Sequence, residues 1–236
     1  MITVSALSVT AIKATRLRAV ESIVLGANGA EGNRRFYLID DHGRMVNAKT
    51  IGGLQQVLAG LEGDQLSMTF PDRTVLEDEV TLGATVATQF FSLAREARLV
   101  NGPFADAVSD FIGRPLRLVE PSGGAVDRGT DGGVTAISRA SLERLACEAK
   151  TDGVDARRFR MLVVLDGLGA HEEDSWVGRR VEIGRAVVEF GGHVGRCLIT
   201  SRDPDSGQID LPTLDILREY RADVAVSYTH LTLPTT

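Results

Sequence analysis

Short apolar runs, cut off again and again by turn chemistry, constrain the fold of this chain more than any other feature. Residues 35–40 and 44–48 flank Asp41-His42-Gly43, and residues 65–70 and 73–76 flank Pro71-Asp72. Both arrangements read as β-hairpins, with His42 a solvated turn residue. Residues 3–12 and 19–25 add two β-rich runs. Residues 161–165, Met-Leu-Val-Val-Leu, suit a strand buried on both faces. Residues 181–183 and 186–190 read as short strands joined at Gly184-Arg185.

Helical periods are fewer. Leu54, Val57, Leu58 and Leu61 share one face of an expected helix over residues 50–61. Residues 103–112 predict a second helix, ended by Gly113-Arg114-Pro115, before a strand at 116–119. Ser138 caps a third, which runs to Lys150 and buries Leu142, Leu145, Ala146 and Ala149. Cys147 on that helix reads as structural. Pro212 opens a last helix carrying Leu214, Leu217 and Tyr220. Glu172-Glu173-Asp174 reads as a solvated turn before Trp176, a packing anchor. The order lacks the strand–helix repeat of a doubly wound sheet, so the expected class is α+β. The glycine-rich stretch 121–133 reads as a loop.

A chain of 236 residues is long enough to bury roughly 70–75% of its surface. Cys147 and Cys197 are too few for a disulfide framework. A net charge of −6 and a pI near 5.3 give no general attraction to nucleic acid or anionic membrane. No run reaches the roughly 18–20 apolar residues of a spanning helix. Met1-Ile2-Thr3-Val4-Ser5 lacks the blocks of a signal peptide. The expectation is a cytoplasmic protein that partners neither nucleic acid nor membrane.

The chemistry concentrates late in the chain. Gly191-Gly192-His193-Val194-Gly195 leads into Arg196-Cys197-Leu198-Ile199, and Asp203-Pro204-Asp205-Ser206-Gly207 follows. Glycine removes the side-chain wall and lets a backbone or ligand approach. A cation beside a cysteine favours the thiolate, the form that binds a metal or attacks. The plainer reading is a small buried hydrophobe at a strand end. Asp203, Asp205 and Asp210 are spaced carboxylates, but a calcium loop counted from Asp203 needs a glycine and an acid where Gln208 and Leu214 stand. A structural zinc site needs four ligands, and His42, His171, His193 and His230 are scattered.

This stretch resembles the MOSC domain, named for the C-terminal domain of molybdenum-cofactor sulfurases. The resemblance lies in residues 196–207, and Arg158-Phe159-Arg160 and Glu173-Asp174-Ser175-Trp176 extend it in the family's order. It implies a strand-rich N-terminal domain over residues 1–95 and a mainly β, barrel-like MOSC domain with peripheral helices over residues 96–226. It also implies the molybdenum cofactor (molybdopterin), with Cys197 as catalytic residue and protein ligand to the metal; soft thiolate suits that metal. Asp203 is a second catalytic candidate for handling protons, against its plainer role of starting the turn. Lys13, Arg34, Lys49, Arg160 and Arg196 are implied to hold the phosphate-bearing cofactor, a task suited to ammonium and guanidinium groups. Pyridoxal phosphate binding is a further implication.

The match departs from the family in places. Asn33 replaces an aspartate beside Arg34, no Tyr-Pro precedes Lys13, and Met161-Leu162 stand where Pro-Asn is usual. The implied activity is reduction of N-hydroxylated small molecules. With too few cysteines for a Cys₄ iron–sulfur cluster, electrons must come from a separate donor protein. Two other readings stay open: a sulfur or cofactor carrier using a Cys197 persulfide or thiolate, and a thiol enzyme without metal. Residues 227–236 resemble translated sequencing adapter and are read as a non-native tail. If the basic residues hold an anion, Lys13, Arg34, Lys49 and Arg160 must converge with Cys197 on one cleft between the domains. As surface charges they would scatter.

Overall fold

The computed structural model describes residues 1–26, 29–123, 133–221 and 231–232. In chain order, β1 (Thr3–Val9) and β2 (Arg18–Val20) precede the ribbon β3 (Leu25–Gly26) and β4 (Gly29–Ala30). The first expected hairpin is β5 (Tyr37–Ile39) with β6 (Met45–Val46). Its turn is held by the Asp40 carboxylate, which accepts the amides of His42 at 3.0 Å and Arg44 at 2.8 Å. The second expected hairpin is β8 (Gln65–Thr69) with β9 (Val75–Glu79), preceded by β7 (Leu58–Glu62).

The helix expected over residues 50–61 is a misreading. Gly52–Gln56 form a 3-10 turn, and β7 pairs along its whole length with β8, from Leu58↔Thr69 to Glu62↔Gln65. Gly52, Gly53 and Gly60 disfavour an α-helix, and the complete ladder outweighs the apolar spacing.

A long hairpin follows, β10 (Thr81–Phe90) and β11 (Leu93–Asn101), with pairs from Thr81↔Asn101 to Phe90↔Leu93. Arg95, where the domain junction is expected, lies inside β11. Then come α1 (Phe104–Ile112), closed by left-handed Gly113, and β12 (Arg117–Pro121). β13 (Ala136–Ser138) leads into α2 (Arg139–Ala149), whose N-cap Ser138 accepts the Ser141 amide. Cys147 is exposed rather than structural, because α2 buries the stripe Leu142, Leu145, Ala146 and leaves position 147 outside it.

The chain ends with β14 (Val163–Asp166), β15 (Arg180–Ile183), β16 (Ala186–Phe190), α3 (Thr213–Arg221) and β17 (Leu231–Thr232). Glu173 corrects the solvated-turn reading: it is 1% exposed in the 3-10 turn Glu172–Trp176. Its Oε1 accepts from the Ser138 amide at 3.0 Å and the Ser141 hydroxyl at 2.8 Å, so the carboxylate serves the start of α2. Trp176 packs edge-on against Phe190 at 5.1 Å, as expected of an anchor. Residues 124–132 of the expected loop, and all of the expected tail except β17, lie outside the described residues.

The result is α+β. One sheet orders β13-β14-β1-β2, so the first strand of the chain is flanked by β14 from its second half. Another orders β10-β11-β12-β5-β6. Among the described strands only β13 and β14 pair in parallel, through the crossover that α2 provides. The sheets are open, so barrel-like fits loosely. One core gathers Ile12, Phe36, Leu54, Met68 and Phe104; a second gathers Phe159, Met161, Val194 and Leu217. No described helix is long and apolar enough to cross a membrane.

Candidate functional site

Two short 3-10 turns carry the motif residues to one place. The first, Ala156–Phe159, begins at Asp155, whose carboxylate accepts the Arg157 amide at 2.8 Å, and ends at left-handed Arg160. Cys197 is the N-cap of the second, Leu198–Ser201, and does not leave a strand end as expected. The Thr200 amide and hydroxyl both donate to the Cys197 carbonyl at 3.0 Å, and this winds the short apolar run into a turn. Before Cys197, a side chain added at Gly192 or Gly195 would meet nothing within 4 Å. That approach stays open.

Arg196 lies over the buried Phe159 ring at 5.1 Å and donates to the Phe159 carbonyl at 3.4 Å. Arg160 reaches across to the Thr15 carbonyl at 2.7 Å. Arg34 in turn donates to the Arg160 carbonyl at 2.8 Å. The Lys49 amide bonds to Asn47, and its carbonyl accepts from Arg202 at 3.1 Å. The Lys13 ammonium stands 5.4 Å and 5.7 Å from the ring centres of Phe90 and Phe91.

These contacts surround a cleft of about 280 Å³. Lys13, Arg34, Lys49, Arg160, Arg196 and Cys197 all line it, and Cys197 is half-buried there. Arg158 and Phe91 line it as well, and among the described residues no carboxylate does. Ala14, Arg34, Phe91 and Arg160, all in this lining, have φ of 80, 52, 53 and 57. Left-handed backbone costs a non-glycine residue roughly 1–2 kcal/mol. Such strain persists only where surrounding structure imposes it, and it concentrates at functional sites.

Asp203 is not in the lining. Its Oδ1 accepts the amides of Asp205 and Ser206 at 3.1 and 2.7 Å and the Ser206 hydroxyl at 2.8 Å. Ser206, with the Asp205 amide and the Arg158 charge, holds the Asp203 carboxyl below the usual carboxylate range. The turn it starts is fastened on several sides. Arg158 makes a two-pronged pair with Asp210, both bonds 2.6 Å, and Arg157 bonds Asp205 at 2.9 and 2.8 Å. Arg202 donates to the Gly207 carbonyl at 2.6 Å.

The order of these motifs is that of a known family. Its MOSC N-terminal beta barrel domain matches residues 1–115, and its MOSC domain matches residues 123–226. The chain belongs to the MOSC family.

Among relatives of this MOSC protein, the mitochondrial amidoxime-reducing component 1 of Mus musculus is 38% identical over 86 residues, 36% of this chain and 24% of that protein. The molybdenum cofactor sulfurase of Oryza sativa subsp. japonica is 26% identical over 84% of this chain and 28% of that protein. The MOSC chain thus spans 24% and 28% of those curated relatives. The solved YUAD protein from Bacillus subtilis superposes with a TM-score of 0.44 at 8% identity, over 100% of this chain and 90% of that chain.

Sequence reasoning missed two residues of the MOSC cleft. Arg158 belongs to the Arg158-Phe159-Arg160 motif, of which the sequence points only to Arg160 as a cofactor contact. Phe91 gave no sequence signal, since only the folding of the β10–β11 hairpin brings it to the cleft.

Proposed function

We propose that the cleft holds the molybdenum cofactor, with Cys197 as the protein ligand to the metal, and that the protein reduces N-hydroxylated small molecules. A separate donor protein would deliver the electrons. The observation that carries this reading is the gathering of six cations and one thiol around a cleft that, among the described residues, no carboxylate lines. Guanidinium and ammonium groups gathered along one cleft attract an anionic ligand. The donor set fits the group: guanidinium and ammonium groups suit a phosphate, and a half-buried thiolate suits a soft metal.

Lys13, Arg34, Lys49, Arg160 and Arg196 would hold the anionic part. Arg34 donates to the Arg160 carbonyl and Arg160 to the Thr15 carbonyl, so that both charges are in place before a ligand arrives. Asp210 keeps Arg158 directed at the rim of the cleft. Asp203, held ionised by its turn, is better suited to shaping residues 203–210 than to moving protons. When bound, the cofactor supplies the redox chemistry.

Turnover of an amidoxime by cofactor-loaded protein with a chemical reductant tests the activity. Reduction that disappears in Cys197→Ala supports it. Bound cofactor without turnover supports the second reading, a sulfur or cofactor carrier using Cys197, which the similarity to a cofactor sulfurase favours.

A further inference from the structure

Phe91 lies in the two-residue connection Phe91-Ser92 between the paired residues Phe90 and Leu93. Its φ is 53, and hairpin connections that need positive φ at this first place favour glycine, asparagine or aspartate. The ring is also 63% exposed, a large apolar group facing water. Strain and exposure thus fall on one residue, and that residue lines the cleft.

Its contacts suggest what the strain sustains. Phe90 and Phe91 meet edge to face at 5.1 Å and 84°, and the Lys13 ammonium stands within 5.7 Å of both ring centres. Phe90 is 4% exposed and locked edge-on against Tyr37 at 5.2 Å. The Tyr37 hydroxyl in turn lies 2.6 Å from that of Thr88. The ammonium therefore rests in an aromatic corner with one wall built into the core and the other supplied by the strained tip. Ring faces attract cations, and a lysine on its flexible stem loses positional freedom in such a corner.

We propose that Phe91 is a positioning residue, which with Phe90 holds the Lys13 ammonium toward the cleft to meet the phosphate of an anionic ligand. This rests on the anion reading of the cleft given above.

The test uses the full chain, inorganic phosphate as the probe, and two readouts. By NMR, the Lys13 Cε protons should show an upfield ring-current shift that Phe91→Gly largely removes. By calorimetry, Phe91→Gly should weaken phosphate binding about two- to fivefold, the scale of an exposed cation–π contact. The same variant relieves the strained φ and should keep or raise the Tm, a pairing that a purely structural role would not give. Phe91→Trp should restore the affinity. Because Phe91 acts through Lys13, the double variant with Lys13→Ala should bind no worse than Lys13→Ala alone.

Additive losses would place Phe91 on the ligand itself and overturn the proposal. Unchanged affinity in Phe91→Gly, or in Lys13→Ala, overturns it equally. A wild-type protein that ignores phosphate contradicts the anion reading itself, and the inference fails with it.

Discussion

The Arg34 guanidinium donates to the main-chain carbonyl of Arg160 at 2.8 Å, across 126 positions of sequence, and both residues hold left-handed backbones. One bond thus ties the first half of the chain to the second at the edge of the cleft. Arg34→Ala removes a cation and a donor together. Phosphate affinity should fall roughly tenfold, in line with a hydrogen bond to a charged group. Arg34→Lys should recover only part of it, since an ammonium cannot reproduce the guanidinium fork. Calorimetry reads both.

Ionic strength offers an independent check. If several cations act together on one anion, affinity should drop steadily as salt rises from about 0.01 M to 0.15 M, as the Debye length shrinks from about 30 to 8 Å. An affinity indifferent to salt would argue against an electrostatic cleft.

Gly52 and Gly207 press backbone against backbone: a Cβ on Gly52 would come within 2.2 Å of the Gly207 carbonyl oxygen and 2.5 Å of Arg202 Nη1. Gly52→Ala should destabilise the protein by about 1–3 kcal/mol, as overpacking does. It should also loosen Arg202 from the Lys49 carbonyl. Gly192→Ala, with open space around it, should leave the urea midpoint nearly unchanged.

The His171 ring is half-buried beside Tyr220. Burial first, then the nearby Arg221 and Arg144 charges, lower its pKa from 6.5 to about 4, against the opposing pull of Asp174. The unfolded chain therefore takes up the proton more readily than the folded one. The stability owed to the neutral ring is complete above pH 6.5 and is lost as pH falls toward about 4. Thermal melts should show Tm falling with acidity across that window. His171→Asn, which tolerates left-handed backbone (φ 62) and does not titrate, should flatten the slope.

Local chemistry explains what could be read in advance. The Asp41-His42-Gly43 turn, the Ser138 cap and the Gly113 helix end each depend on neighbours a few residues away, and each stands where it was expected. The stripe Leu54, Val57, Leu58 and Leu61 misled because its spacing suits a helix, while the strand pairing with residues 65–69 that decides its form is a tertiary fact. Glu173 looked solvated for a similar reason: its partners Ser138 and Ser141 lie more than thirty residues earlier. For the site, residue type and motif order named most of the cleft cations and the thiol. The aromatic corner around Lys13 had no local signature, because a hairpin tip nearly eighty residues further along must fold back to form it.

The central claim is that Cys197 and the surrounding cations hold a molybdenum-bearing anion, and metal content tests it most directly. Wild-type protein and Cys197→Ala, each purified from cells that make the cofactor, would be compared for molybdenum and pterin per chain. The account predicts stoichiometric amounts of both in the wild type and a large loss of molybdenum in the variant, at an unchanged Tm. Wild-type protein free of molybdenum, or a variant that retains as much as the wild type, would contradict it.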